Sequence, residues 1–136
     1  MQFDSKFVIV VAEDLPVWQK LNVVSFLSGG ITSTSAVKTG KRYVDGSNST
    51  YLPLCIQPAI VLKVKRSKLP TFIQRANRAN IETAIFIEDM FATGHDEANR
   101  STVRYYDTES LPLVGIAMCA EKKLVDKVVK GAKLHD

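Results

Sequence analysis

The sequence predicts an α/β fold, a three-layer α/β/α sandwich around a four-stranded, mixed but mostly parallel sheet. Residues 7–12 and 84–87 form continuous apolar runs, which are typical of strands covered on both faces, as in parallel sheets. Strand-like and helix-like segments alternate along the chain, an order that favours right-handed crossovers with helices on the faces of the sheet. The 136 residues are expected to form a single domain, 1–136.

The first strand leads into a predicted helix. Asp14 is placed to cap this helix, and Pro16 fits its first turn, where a missing N–H costs little. Gly29 and Gly30 are expected to end it. The apolar residues at helical spacing that are expected to face the core are Val17, Leu21 and Val24.

A long polar segment, residues 32–50, follows this helix. Within and beside it, Tyr43-Val44 and Tyr51-Leu52 are expected to form a short hairpin around Asp45-Gly46. A connection of this length is usually functional or mobile. Together with a second polar segment, residues 94–110, it is predicted to form a lid over the carboxyl edge of the sheet, and a surface excursion elsewhere is the alternative.

The second half of the chain repeats the alternation of strands and helices. Strands are predicted at 59–62, 84–87 and 113–118. Ser67 is placed to cap the middle helix, whose apolar residues follow the i, i+3, i+4, i+7 spacing. The residues expected to face inward are Leu69, Phe72, Ile73 and Ala76 on that helix, and Leu124, Val125 and Val128 on the last one.

Charge and composition narrow the class of protein. The net charge is +4, and basic residues cluster in 63–68 and 122–133. We interpret these clusters as solvated surfaces, with contacts to phosphates as the alternative. No apolar run approaches the ~20 residues that span a bilayer, and the first residues lack the layout of a signal peptide, so a cytoplasmic protein without membrane contact is expected. Cys55 and Cys119 lack metal-ligand or redox spacing and are expected to be free thiols. No motif specifies a cofactor or metal, and none is predicted.

Two of the predicted strands end in paired carboxylates. The first strand runs into Glu13-Asp14, and the third runs into Glu88-Asp89. Ligands of open α/β sheets bind in the crevice beyond the carboxyl ends of the strands. The pattern therefore predicts a site at this edge, without specifying its chemistry.

Three stretches carry a resemblance to a known family. Asp14-Leu15 opens a helix after the first strand, Asp89 and Thr93 match the Asp and Thr of an Asp-Ala-Gly-x-Thr element, and 114–116 with 125–128 match a last strand and helix. The chain resembles the type II peptidyl-tRNA hydrolases, and more closely a group of uncharacterised bacterial relatives with that fold. The resemblance covers nearly the whole chain and implies a homodimer.

The same comparison shows departures from the hydrolases. After their Asp-Leu they carry Gly-Lys-x-Lys, then Gln and His on the same helix, and in register these two lysines, the Gln and the His fall on Gln19, Leu21, Ser25 and Ser28. Lys20 lies between the two lysine positions and is a partial substitute. The resemblance therefore implies a diverged binding protein or a hydrolase without the usual catalytic groups. Two alternatives stay open: an active peptidyl-tRNA hydrolase with rearranged residues, and a structural or regulatory homodimer.

Candidate site residues follow from this reading. Ester hydrolysis needs an activated water and positive charge for the oxyanion, roles assigned to Asp89 and Lys20, with Thr93 bonding the substrate and His95 as acid or base. Caps or solvated side chains are the alternatives for Asp89 and His95, while His135 is expected to be frayed. The predicted ligand is a small molecule or an RNA fragment. The residues expected to bind it are Asp14, Asn22, Ser28, Asp96 and Asn99.

Overall fold

The computed structural model describes residues 3–34 and 36–136. The elements used below are the strands and α-helices of these residues. In chain order they are β1 (Ser5–Ala12), α1 (Val17–Thr32), β2 (Tyr43–Val44), β3 (Thr50–Tyr51), β4 (Ile60–Val64), α2 (Leu69–Arg78), β5 (Ala84–Ile87), α3 (Asp96–Arg104), β6 (Leu113–Glu121), α4 (Lys122–Val128) and β7 (Lys133–Leu134).

The main sheet is five-stranded and mixed, in the order β5-β6-β1-β4-β7. The α/β class is confirmed, but the four-stranded, mostly parallel sheet is wrong, because only β1 and β4 pair in parallel and the other three pairings are antiparallel. Residues 7–12 of β1 are each at most 2% exposed. Successive side chains of a strand point to opposite faces of the sheet. Burial of all of them therefore shows that both faces are covered, and it does not show whether the neighbouring strands run parallel or antiparallel. The three-layer arrangement stays a prediction.

Helix α1 turns a different face to the core than its spacing suggested. Val17 and Leu21 are 71% and 66% exposed, and Val24 is half-buried. The buried residues of the helix are Val23, Leu27 and Ile31. The helix itself was predicted correctly. The prediction of its inward face was wrong, because apolar residues occur on all sides of α1 and more than one stripe of them follows the helical period.

Helices α2 and α4 largely follow the prediction. All four predicted residues of α2 are buried, as are Val125 and Val128 of α4, whereas Leu124 is 38% exposed. Neither predicted cap forms: Ser67 lies in the turn Arg66–Lys68 ahead of α2, and Pro16 precedes α1 without a side-chain cap. Helix α1 also continues two residues past Gly30, to Thr32.

Residues 39–56 form an arm that leaves the body of the protein. Strands β2 and β3 pair as the predicted hairpin, and below them the Gly40 N–H donates to the Leu54 carbonyl at 2.8 Å. At the base, the buried Gln57 side chain bonds Ser5, at the start of β1. The arm therefore begins at the amino end of β1, whereas the lid was predicted at the carboxyl edge.

The tip of the arm is tied together by one carboxylate. Asp45 accepts hydrogen bonds from the Ser47 and Ser49 N–H groups at 2.9 and 3.0 Å, and from the Tyr51 hydroxyl at 2.7 Å. These donors lower the pKa of Asp45, the Tyr51 hydroxyl contributing most. Asn48 takes the left-handed conformation that closes the turn, with φ 66°.

Candidate functional site

A cleft lies between α1, the edge strand β5 and α3. One cavity of about 610 Å³ and an adjoining one of about 240 Å³ share five lining residues, including Phe26, Met90 and Asn99. We call the two together the α3 cleft. Its apolar side is made by Phe26, Leu27, Phe86, Met90 and Val103, and its polar side by Thr93, His95, Asp96, Asn99 and Arg100.

The polar side is held by hydrogen bonds at the start of α3. His95 caps the helix, because its Nδ1 accepts the Ala98 N–H at 3.2 Å. The proton of the neutral imidazole then lies on Nε2, which is left to donate. Thr93 Oγ1 lies within hydrogen-bond distance of the side-chain oxygen of Asn99 and of the Met90 carbonyl, and it donates its single proton to one of them. The side-chain amide of Asn99 also carries two Nδ2 hydrogens, which are donors.

The charges on α3 compensate one another. Arg100 forms ion pairs with Asp96 at 2.5 Å and with Glu97 at 3.3 Å. The hydrogen bond and charge of Asp96 raise the pKa of Arg100. The wall of the α3 cleft therefore carries little net positive charge, which is unlike a phosphate-binding surface.

Asp89 lies in the turn after β5 and is engaged by a tyrosine. The Tyr106 hydroxyl donates to Asp89 Oδ2 at 2.9 Å. This bond is the main cause that raises the pKa of Tyr106 above its ordinary 10.0. Asp89 thus anchors the segment that follows α3, and this contact uses one of its two carboxylate oxygens.

Removing the Asp89 charge should therefore change the titration of Tyr106. A raised phenol pKa means that the neutral hydroxyl is favoured in the folded protein, so the stability it adds is present below pH 10.0 and is lost as pH rises through the folded value. We expect Asp89→Asn to lower the Tyr106 pKa in an ultraviolet titration. The Tyr106→Phe variant identifies which part of the titration curve belongs to Tyr106, because that part disappears. An unchanged Tyr106 pKa in Asp89→Asn would contradict Asp89 as the cause of the raised pKa.

The carboxyl ends of β1, β4 and β5 meet through one arginine. Arg66 donates to Glu88 at 2.7 Å and lies 3.3 Å from Asp14. Arg66 therefore lies between a carboxylate that follows β1 and one that follows β5, whereas the site predicted at this edge stays a prediction. Within residues 3–34 and 36–136, no three metal-ligating side chains form a group that could hold an ion.

Lys20 lies next to a histidine from the end of the chain. Its Nζ lies 3.1 Å from His135 Nε2, and the His135 N–H donates to the Val61 carbonyl at 3.0 Å. His135 is therefore held against the sheet and not frayed. The hydrogen bonds of Lys20 and Asp89 lead to separate partners, so a shared site of these two residues stays a prediction.

Comparisons with known proteins place the chain in a family. The family model described as protein of unknown function (DUF2000) matches residues 5–136. The chain belongs to the DUF2000 family. A solved structure of a protein of unknown function from Agrobacterium tumefaciens strain C58 matches with 43% identity and a TM-score of 0.96, covering 99% of this chain and 100% of that one. No curated protein matches.

This identification supports the uncharacterised bacterial family and leaves the link to the hydrolases as a prediction. Neither the DUF2000 description nor the matched structure carries an assigned function. No helix among the described residues of this DUF2000 chain is long and apolar enough to cross a membrane. Cys55 and Cys119 are both free thiols and only partly buried.

Seven of the nine predicted site residues of this DUF2000 chain lie in three places. Thr93, His95, Asp96 and Asn99 line the α3 cleft, Asp14 and Asp89 lie at the carboxyl edge, and Lys20 lies beside His135. Asn22 is exposed and Ser28 is half-buried, and neither lines the α3 cleft.

Sequence reasoning missed the apolar side of the α3 cleft and Arg100. A signal for the polar side was present, because Asp96, Asn99, Arg100 and Val103 follow the i, i+3, i+4, i+7 spacing of one helix face. The polar segment was interpreted as a lid without a helix of its own. Phe26 gave no such signal, since its contact with Phe86 of β5 joins distant parts of the chain.

Proposed function

We propose that this protein is a binding protein for a small molecule that has an apolar body and a hydrogen-bond acceptor, and that the α3 cleft is its site. The observation that carries the proposal is the lining of this cleft. Two predicted catalytic residues, Thr93 and His95, and two predicted ligand-binding residues, Asp96 and Asn99, line the cleft together with apolar residues that include Phe26 and Met90. Clefts of a few hundred Å³ with an apolar lining and a few placed polar groups are the usual form of small-molecule sites.

The donors of the cleft indicate the polar part of the ligand. His95 Nε2 and Asn99 Nδ2 are donors in the arrangement described above, so a carbonyl or carboxylate oxygen is the complementary group. Arg100 is engaged by Asp96, so the wall does not demand a full negative charge. An aromatic or aliphatic ligand body fits beside Phe26, whose side chain is 64% exposed and packs on Phe86.

RNA is a weaker candidate for this cleft. The carboxylates Asp96 and Glu97 lie on α3, and Glu88 and Asp89 lie in the turn beside it. Phosphates bind where cations outnumber such groups. A cytoplasmic location remains part of the proposal, supported by the two free thiols.

Two probes that share a phenyl ring, phenylacetate and phenylacetamide, test the site and its charge preference. Titration of the protein with each, followed by amide NMR shifts, should perturb residues 93–99 and Phe26. Asn99→Leu should weaken binding at least tenfold, because it removes a donor from the wall. The matched control Asn77→Leu changes an exposed asparagine on α2 and should leave binding unchanged. Shifts confined to other regions, or an unaffected Asn99→Leu, would refute the site.

A cleavage assay separates this function from the active-hydrolase alternative. The hydrolases' Gln and His positions are occupied by Ser25 and Ser28, and Lys20 is in contact with His135, so the groups for ester hydrolysis are not assembled as in those enzymes. With an N-acetylaminoacyl-tRNA substrate we expect no turnover above the uncatalysed rate. Turnover that Asp89→Asn abolishes would replace the binding function by hydrolysis.

A further inference from the structure

We infer that two copies of this chain form a dimer in which the arm of each copy packs on the outer face of α1 in the other. The outer face is defined here as Val17, Trp18 and Leu21, which lie at i, i+1 and i+4 on the solvent side of the helix. This inference is independent of the ligand function proposed for the α3 cleft. It rests on two apolar surfaces of one chain, their charges and their dimensions.

The arm exposes more apolar surface than an isolated hairpin can maintain. Every residue from 41 to 52 is exposed. A two-stranded hairpin alone is at best marginally stable in water, so an arm of this kind requires a surface to pack on. Its large apolar side chains, each between 42% and 71% exposed, are Tyr43, Val44, Tyr51, Leu52, Leu54 and Ile56.

The outer face of α1 is a second apolar surface that the described residues leave largely exposed. Its three side chains are between 59% and 71% exposed, and the Trp18 ring packs against Phe91 in an edge arrangement, with ring centroids 6.1 Å apart. Together with the arm it offers on the order of 1,000 Å² of apolar surface per copy, above the ~800 Å² that each partner of a standard interface buries. Two surfaces of this size can support a stable dimer.

The charges beside the two surfaces are opposite in sign. Lys41 and Arg42 are exposed on the arm, and Lys38 is exposed directly before it. Near the outer face, Glu13-Asp14 precede α1, and Glu88-Asp89 lie in the same turn as Phe91, the neighbour of Trp18. The four carboxylates of this rim outnumber the nearby Arg66, which pairs with Asp14 and Glu88, and Lys20. Lys41 and Arg42 likewise outnumber Asp45 on the arm. A net basic arm and a net acidic rim favour arm-to-helix contact over arm-to-arm contact, because like charges oppose the latter.

Position and length explain why the partner is a second copy. The base of the arm lies at the amino end of β1, next to Ser5, whereas Val17 and Trp18 follow the carboxyl end of that strand. Each limb of the arm spans about six residues, ~20 Å, and α1, with 16 residues, is ~24 Å long. In a twofold dimer the arm-to-helix contact occurs twice and covers both surfaces of each copy.

Sedimentation velocity of the full chain over a range of concentrations tests the interface. Leu21→Asp on the outer face and Leu52→Asp on the arm should each weaken dimerisation at least tenfold, since each buries a carboxylate in the contact. Leu134→Asp is the matched control, because Leu134 is equally exposed at 70% and belongs to neither surface. All three residues are exposed, so circular dichroism should show an unchanged fold.

Mixing the two variants distinguishes arm-to-helix packing from other dimers. A heterodimer of Leu21→Asp with Leu52→Asp keeps one intact contact, in which the arm of the first copy meets the unaltered helix of the second. The equimolar mixture should therefore contain more dimer than either variant alone. A monomeric wild type, a mixture without such recovery, or a dimer disrupted by Leu134→Asp would overturn the inference.

Discussion

Gly115→Ala is expected to lower the free energy of unfolding by about 1–3 kcal/mol, the usual cost of overpacking a core. Gly115 lies in β6, at the point where α1 crosses the sheet. A Cβ placed there would lie 2.5 Å from Val23 Cγ1 and 3.1 Å from Leu27 Cδ1. Val23 is fully buried and stiff at χ1, so it cannot move away without displacing the helix.

The same substitution at Gly29 is the control. No atom lies within 4 Å of a Cβ built on Gly29, which is an exposed position inside α1. Alanine should therefore stabilise the protein there by about 0.5–1 kcal/mol, because glycine is a poor helix former. Urea unfolding followed by circular dichroism measures both. If Gly115→Ala were no more destabilising than Gly29→Ala, α1 would not be pressed against β6.

Apolar patterns predicted most buried segments correctly, although they gave the wrong inward stripe for α1, whereas the directions of strand pairing were not predicted. The apolar runs of β1 and β5 and the inward residues of α2 were found from the sequence, because burial on both faces or on one stripe leaves a period. The direction of a strand relative to its neighbours produces no periodic pattern in the sequence. β6 is a buried run like β1 yet runs antiparallel to it, and β7 is only two residues long.

The candidate site was predictable in part for the same reason. Thr93, His95, Asp96 and Asn99 are near one another in sequence, so a local argument brought them together. Lys20 and Asp14 were joined to them only by an assumed geometry of the sheet edge. Their partners, His135 and Arg66, come from distant segments, and no local pattern could have supplied these contacts.

Helix α1 offers the clearest test of which apolar stripe faces the core. Leu27→Ala should lower the free energy of unfolding by about 3–5 kcal/mol, because it removes a buried side chain and leaves a cavity between α1 and β6. Leu27 is 2% exposed, and its neighbour Val23 is fully buried. Urea unfolding gives the value directly.

The matched variant is Leu21→Ala on the same helix, where the side chain is 66% exposed. In dilute protein it should change the free energy of unfolding by less than about 0.5 kcal/mol, as exposed positions do. If the outer face of α1 binds a second copy, a further loss should appear as protein concentration rises, since association stabilises the folded chain by mass action. The Leu27→Ala loss should be independent of concentration. Equal losses at the two leucines in dilute protein would mean that the helix presents the other stripe to the sheet.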